Sequence, residues 1–197
     1  MIDNNNIIGC YAQTELGHGS NVAGLETTAI YDHKTDEFVL HTPTTSATKW
    51  WPGDLGFIAN FAIVFAQLII PDEDGTQNKY GVVPFLVQLR SRVTHKWLPG
   101  IKTGNMGPKM GFNSKDNGWL IMDHVRVPRE QLLQKYLIVE RDGSVSFDGD
   151  IRMLYSVMMS VRNHIVGLSK YTMAGGLTIG LRYSLVRRQF RNVGDKK

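Results

Sequence analysis

The sequence predicts an α+β chain in which an antiparallel β-barrel or sandwich is followed by one long helix. In the first part of the chain, short segments rich in β-branched and aromatic residues alternate with turns that contain glycine, proline or asparagine. From Ile151 to Phe190 there is no proline, and apolar residues recur at steps of three and four, which is typical of a helix. This change divides the chain into a β domain over residues 1–147 and the start of a helical domain over residues 148–197.

Four stretches predict the strands of the β domain. In residues 25–42, two β-type segments flank a polar turn and predict a hairpin. Residues 60–70 are almost wholly apolar, which favours a strand buried on both faces, although periodicity alone also allows a helix. Residues 80–89 predict a second long strand, and Pro84 within it indicates an edge position or a bulge. Residues 118–127 predict one more strand, which the following proline ends.

The predicted helix carries one apolar stripe and needs a partner. The stripe consists of Leu154, Val157, Met158, Val161, Ile165 and Leu168. Asp148 or Asp150 is the expected N-cap. A helix of about 40 residues is about 60 Å long, and the Gly175–Gly176 pair is expected to bend or interrupt it. Because the sequence contains no second helix of comparable length, we expect another subunit or a further part of a larger protein to cover the stripe.

Charge and composition exclude several classes of function. The chain has 197 residues and a formal charge of +4, and the excess lies in residues 182–197, which hold six basic groups against one acidic group. A nearly neutral body with a basic end argues against nucleic-acid binding. The sequence has no apolar run of about 18 residues, so we expect no membrane span. Its first residues do not resemble a secretory signal, and the lone Cys10 favours a reducing compartment.

Three segments are candidates for ligand binding. Residues 11–21 (YAQTELGHGSN) follow a predicted strand and can offer backbone N–H groups and hydroxyls to a ring or a phosphate, or form an ordinary glycine-rich turn. In residues 49–54 (KWWPGD), the two tryptophans can stack on a planar cofactor or pack into the core. The arginines in residues 187–191 suit the binding of a pyrophosphate. Alternatively, they stabilise the helix C-terminus through the helix dipole and bind no ligand. The six histidines lack metal-ligand spacing, so we expect no metal site.

Together these segments resemble the peroxisomal acyl-CoA oxidases of the acyl-CoA dehydrogenase and oxidase superfamily. The resemblance extends from about Ile7 to Phe190 and keeps the family's order of motifs. It is carried by residues 11–21, 25–29, 49–53, 94–96, 98–101, 107–111, 116–118 and 182–189. The resemblance implies a middle β domain against which FAD lies, followed by the first long helix of a C-terminal helical domain. This agrees with the helix that has no partner in the sequence.

The resemblance also implies which residues contact the cofactor FAD. Thr14 matches the threonine that hydrogen-bonds the edge of the isoalloxazine ring. Gly53 matches the flavin-contacting glycine after the Trp-Trp-Pro turn, and Gln13 and Trp51 are taken as neighbouring contacts.

A second group of implied contacts lies at the end of the helix. Arg187 and Gln189 match an Arg-x-Gln-Phe element, which in related dehydrogenases reaches the FAD of the neighbouring subunit. We therefore expect a homodimer in the full-length parent protein.

The implied reaction converts a fatty acyl-CoA and O2 to trans-2-enoyl-CoA and hydrogen peroxide, in fatty-acid β-oxidation. The resemblance also implies a peroxisomal location, although the sequence has no Ser-Lys-Leu-type signal. The family's catalytic glutamate lies downstream of the Arg-Arg-Gln element, whereas this sequence has no glutamate after Glu140. We therefore expect no catalytic residue here and no turnover by this chain alone.

Two other interpretations of function stay open at the level of sequence. The first is an acyl-CoA dehydrogenase that passes electrons to a carrier protein. Dehydrogenases typically carry Trp-Ile-Thr or Trp-Ile-Ser where this chain has Trp-Trp-Pro, which favours the oxidase. The second is a fragment that binds flavin or assembles with complete subunits without catalysing a reaction.

Overall fold

The computed structural model describes residues 6–148 and 156–189. The chain divides into two compact units, Met1–Gly149 and Asp150–Lys197. Within the described residues, the first unit consists of strands in curled sheets and the second contains one helix, so the predicted fold class is confirmed. Asp150 and Leu154, which were expected to cap the helix and to begin its stripe, lie outside the described residues.

The strands of the first unit are joined by short turns and by three longer connections, residues 13–27, 89–100 and 106–116. They are β1 (Gly9–Ala12), β2 (Thr28–Asp32), β3 (Glu37–His41), β4 (Lys49–Gly53), β5 (Phe61–Pro71), β6 (Gln77–Gln88), β7 (Ile101–Asn105), β8 (Asn117–Met122), β9 (Val125–Pro128), β10 (Leu137–Val139) and β11 (Val145–Phe147). Short 3₁₀ turns lie at Val22–Gly24 and Arg129–Gln131.

The largest sheet has β5 at its centre. Along one edge β5 pairs antiparallel with β6 over its whole length. Along the other edge it pairs parallel with β1 near its start and parallel with β2 near its end. The antiparallel β2–β3 hairpin, which the sequence predicts, then continues the sheet to β9. The sheet is therefore mixed and not wholly antiparallel as predicted, because β5 runs parallel to two of its neighbours, which the chain reaches through long connections.

Residues 118–127 form two strands, so the prediction of one strand there was wrong. β8 pairs with β4 and β7 in a separate three-stranded sheet, whereas β9 joins the large sheet beside β3. The chain changes sheet at Asp123 and His124, where His124 adopts φ 50°. This turn contains neither glycine nor proline, which explains why the sequence did not indicate it.

The core lies along β5, as expected from its apolar sequence. Most residues of β5 are buried and only every fourth one is half-exposed, which confirms a strand covered on both faces. Pro84 lies in β6 at the sheet edge, as predicted, but the ladder irregularity lies elsewhere. It occurs between Leu68 and Ile69, opposite the region of Gly81, which adopts φ 87°.

The second unit contains α1, Ser156–Val186, a helix of 31 residues. It runs through Gly175–Gly176 without a break, so the expected interruption was wrong, while a bend there stays a prediction. At about 100° per residue, Val166, Leu181 and Leu185 lie about 140°, 200° and 240° around the axis from Val161, so the apolar surface extends well beyond one stripe. Within the described residues, no helix is long and apolar enough to cross a membrane.

Candidate functional site

Thr14 joins the loop after β1 to the start of β4. Its backbone carbonyl accepts a hydrogen bond from the Trp50 N–H at 2.9 Å. Its hydroxyl donates to the Trp50 carbonyl. A hydroxyl has one proton but two lone pairs, so Thr14 retains the capacity to accept a hydrogen bond from a ligand. The fold thus brings two of the three candidate segments together.

Trp51 presents its indole ring from a strained backbone. It adopts φ 82°, a left-handed conformation that is rare for a bulky residue. The pairing of β4 with β8 is irregular between Trp50 and Gly53, and the Asn117 amide donates to the Trp51 carbonyl at 2.7 Å. The indole is 53% exposed despite its size. Strain of this kind clusters at functional sites, because the surrounding structure must maintain it.

Gly53 is adjacent to a lysine that the sequence did not single out. A Cβ at Gly53 would lie 2.9 Å from Cε of Lys115. The Lys115 ammonium in turn donates to both carboxylate oxygens of Asp54 at 2.7 Å. The space above Gly53 is therefore bounded by the end of a flexible side chain, which can move when a ligand approaches.

Gln13 is directed into the protein. It is buried, and its side-chain oxygen accepts from the Tyr11 hydroxyl at 3.2 Å. Tyr11 is about half exposed, and its ring packs 5.0 Å from that of Phe65. Burial raises the pKa of Tyr11. Tyr11 is therefore more accessible to a ligand than Gln13, a distinction that sequence alone did not reveal.

A buried ion pair lies beneath Thr14. Glu15 and Lys49 have fully buried side chains, 3.0 Å apart. The Lys49 ammonium also donates to the Gln13 carbonyl at 3.1 Å and to the Phe65 carbonyl at 2.6 Å. Burial lowers the pKa of Lys49 to about 8, against the opposing effect of Glu15. Both residues fall within the candidate segments, but nothing in the sequence indicated that they are paired inside the protein.

The backbone N–H groups of the glycine-rich loop are already used within the protein. The Leu16 N–H donates to the Thr48 carbonyl at 2.8 Å, and the Gly17 N–H donates to the Ser46 carbonyl at 2.9 Å. Glu15 and His18 bond each other's backbone. The idea that this stretch offers its N–H groups to a phosphate is therefore wrong for residues 15–18.

The Glu26 carboxylate joins the glycine-rich loop to residues 44–46. It accepts hydrogen bonds from the hydroxyls of Thr44 and Ser46 and lies 2.9 Å from the His18 ring. The hydrogen bonds from Thr44, His18 and Ser46 lower the pKa of Glu26 to about 2. The loop is thus built as a rigid, hydrogen-bonded support for Thr14.

Arg187 and Gln189 belong to the second unit and follow the end of α1. Both are exposed, and the Arg187 N–H donates to the Tyr183 carbonyl at 2.9 Å, which extends the last helical turn. Their expected contact with the same kind of cofactor as Thr14 stays a prediction.

The fold brings His41 close to the consecutive residues Asp123 and His124, and the three are potential metal ligands. Within the described residues, the ligand atoms of His41, Asp123 and His124 lie within 4.8 Å of one another. The two imidazole rings are stacked 4.0 Å apart with their planes only 24° apart. A metal ion lies in the plane of each imidazole that binds it, so one ion could bind both rings only after they rotate.

Comparisons with known proteins agree with this architecture. Residues 10–125 match the family model of the acyl-CoA dehydrogenase middle domain, and residues 155–197 match that of the acyl-CoA oxidase C-alpha1 domain. Among curated proteins, the chain is 52% identical over 188 residues to peroxisomal acyl-coenzyme A oxidase 1 of Arabidopsis thaliana, covering 93% of this chain and 28% of that protein. The corresponding protein of Rattus norvegicus is 49% identical over 183 residues, with 93% and 27% covered.

Solved structures give the same result. Acyl-CoA oxidase 1 of Arabidopsis thaliana superposes with a TM-score of 0.88 at 48% identity, covering 99% of this chain and 30% of the other. Acyl-CoA oxidase-2 of Caenorhabditis elegans, solved with FAD, ascaroside-CoA and ATP, also gives 0.88, at 50% identity, with 98% and 28% covered. The chain thus spans less than a third of the length of the proteins it matches.

Proposed function

The chain belongs to the acyl-CoA oxidases of the acyl-CoA dehydrogenase family, and from this premise we propose that its β unit forms one wall of a flavin site in an FAD-dependent fatty acyl-CoA oxidase. The observation that carries the proposal is the adjacency of Thr14 and Trp51. The half-buried Thr14 hydroxyl retains acceptor capacity and donates to the carbonyl that directly precedes Trp51, whose side chain is exposed on a strained backbone. Such a surface fits the edge and the face of a planar ring that has its own N–H groups.

The residues of this chain have binding roles in the proposal. Thr14 accepts a hydrogen bond from the ring edge, because its own proton is given to the Trp50 carbonyl. Trp51 and Gly53 border the ring, and Gln13 acts indirectly through its backbone carbonyl, which the Lys49 ammonium holds. When bound, FAD would accept the hydride from the β-carbon of the acyl-CoA. We assign no residue of this chain as the base that removes the α-proton.

The parent enzyme is proposed to release trans-2-enoyl-CoA and, with O2 as the electron acceptor, hydrogen peroxide. Two features favour an oxidase over a dehydrogenase that uses a carrier protein. The region after residue 155 is similar to the oxidase C-alpha1 domain, and β4 carries Trp-Trp-Pro. The relatives are named peroxisomal, and we propose the same location here. Arg187 and Gln189 are proposed to reach the FAD of the partner in a homodimer.

The binding proposal is tested by titrating the purified chain with FAD and following the flavin absorbance at about 450 nm. The titration is done with and without the remaining segments of the parent protein. Thr14→Val keeps the shape but removes the hydroxyl, and we expect it to weaken FAD binding by about tenfold. Thr14→Ser keeps the hydroxyl and is the matched control, with an expected change of less than about threefold. If FAD bound neither to the chain alone nor to the chain with the remaining segments, the proposal would be contradicted.

The reaction is tested in the longer protein with a fatty acyl-CoA as substrate. We expect peroxide in proportion to the enoyl-CoA formed. Reduction of a carrier protein without peroxide would instead identify a dehydrogenase. Binding of FAD without either product, in a protein that includes the downstream helical region, would favour the non-catalytic interpretation.

A further inference from the structure

We propose that the buried Glu15–Lys49 ion pair is a positioning device that sets where Thr14 lies relative to Trp51, and thereby how tightly the chain holds a flavin. The inference rests on the proposed function for the identity of the ligand. It assigns to these two residues a role in building the site without contact with the ligand.

The pair connects four separate segments of the β unit. The Lys49 ammonium has three protons, and these are directed to the Gln13 carbonyl, the Glu15 carboxylate and the Phe65 carbonyl. The Glu15 carboxylate in turn accepts from the Glu26 N–H at 2.7 Å and the Thr27 N–H at 3.0 Å. The pair therefore ties the loop after β1 to the start of β2, to β4 and to the middle of β5.

Thr14 lies between two residues that this pair anchors. Gln13 is held through its carbonyl and Glu15 through its carboxylate, and both bind the same Lys49 ammonium. Lys49 directly precedes Trp50, whose backbone forms both hydrogen bonds to Thr14. A shift of the ammonium would therefore move the Thr14 hydroxyl and β4 relative to each other.

Stability does not account for the pair. Removing two charges from water costs several kcal/mol per ion, and apolar replacements of buried pairs are often neutral or stabilising. The lowered pKa of Lys49 indicates that, here too, burial outweighs the attraction of Glu15. What the pair supplies is direction, because its hydrogen bonds define one geometry for the loop, whereas apolar contacts allow several.

The test compares the double variant Glu15→Gln/Lys49→Met with the original chain. Hydrogen exchange without FAD reports the geometry alone, at the Trp50 amide that binds Thr14 and the Leu16 amide that binds Thr48. We expect exchange at both amides to be about tenfold faster, while the circular dichroism spectrum stays the same. We expect FAD affinity to fall by about tenfold as well.

Arg126→Gln is the matched control, because Arg126 on β9 forms exposed ion pairs with Asp32 at the end of β2 and Glu37 at the start of β3. It is expected to leave both readouts unchanged. If the double variant fails to fold, Thr27→Val removes one donor to Glu15 while both charges remain, with expected changes of about threefold in the same direction. Unchanged exchange and unchanged FAD affinity in a folded variant would overturn the inference. Faster exchange in a chain that never binds FAD would overturn the proposed function but leave the geometric role intact.

Discussion

The β unit and helix α1 differ in how they use their apolar residues. In the β unit, large side chains such as Phe38, Leu68 and Leu120 are completely buried, and even Lys49 is enclosed with its hydrogen bonds made. Along α1, every described side chain is exposed, including Leu168 and other large apolar ones. The β unit therefore contains its own core, whereas α1 has none within its own unit.

The difference teaches that apolar content does not by itself give a region independent stability. Strands stabilise one another when they pair and cover a common core, and this holds for residues far apart in the chain. A helix draws most of its stability from packing of its apolar surface. With apolar residues all around it, α1 is suited to burial among other helices.

The largest expected contrast comes from the same substitution in both regions. Leu68→Ala removes a fully buried side chain from β5 and should lower the free energy of unfolding by about 2–5 kcal/mol. Leu168→Ala removes a side chain on α1 from a residue that is 49% exposed. It should change the free energy of unfolding by less than about 0.5 kcal/mol. Urea unfolding of the β unit is followed by tryptophan fluorescence, because all four tryptophans lie in that unit, and unfolding of α1 is followed by ellipticity at 222 nm. Equal effects would show that α1 packs in this chain as tightly as β5 does.

A second contrast tests the packing of the loop that supports Thr14. A Cβ at Gly17 would lie 2.9 Å from the Cβ of Ser46, whereas a Cβ at Gly19 would meet nothing within 4 Å. Gly17→Ala should therefore destabilise the β unit by about 1–3 kcal/mol. Gly19→Ala is the control and should have little effect on the thermal midpoint. If both variants had the same thermal midpoint as the original protein, the close approach of Gly17 to Ser46 would be refuted.

Gly→Ala substitutions should have opposite signs in the two regions. Gly175→Ala and Gly176→Ala lie in the open interior of α1 and should each favour the helix by about 0.5–1 kcal/mol, seen as greater ellipticity at 222 nm. Gly81→Ala in β6 should be destabilising, because Gly81 adopts φ 87°. A loss of helicity in the α1 variants would mean that the paired glycines serve a close packing contact.

The smallest expected effect concerns acid stability of the loop. The folded-state pKa of Glu26 is about 2, below its ordinary value of 4.5. Its stabilising contribution is therefore fully present above pH 4.5 and is lost as the pH falls towards 2. Unfolding measured from neutral pH down to about pH 2 should show Glu26→Gln less stable than the original protein near neutral pH, with the difference closing in acid. A difference independent of pH would assign the effect to packing.

Local patterns predicted the elements whose partners lie nearby in the sequence. The β2–β3 hairpin followed from two β-type segments around a polar turn, and β5 followed from a long apolar run. The break between β8 and β9 did not, because His124 turns the chain without a glycine or a proline. The extent of the apolar surface on α1 was also underestimated, since the first turns alone suggested one stripe.

The candidate site also combines residues that the sequence predicted with features that only the structure showed. Resemblance to a family selected Thr14, Gly53 and Trp51, and the fold joins Thr14 to β4, the strand that contains Trp51 and ends at Gly53. It also selected Gln13, which the structure shows directed inward, while the adjacent Tyr11 is exposed. The lowered pKa of Lys49 could not be predicted from its neighbours in sequence, because its largest cause is burial.

The sequence by itself determined the β-then-helix order, the nearly neutral body with a basic end, and the family to which the motifs belong. Each of these depends on residues close together in the chain, where the periods of 2 and 3.6 residues and the turn chemistry act. Only the tertiary structure decided that Glu15 meets Lys49, that Thr14 bonds Trp50, and that Trp51 is held in a strained conformation. These contacts join segments more than thirty residues apart. Their geometry follows from strand pairing and burial, which no local pattern encodes.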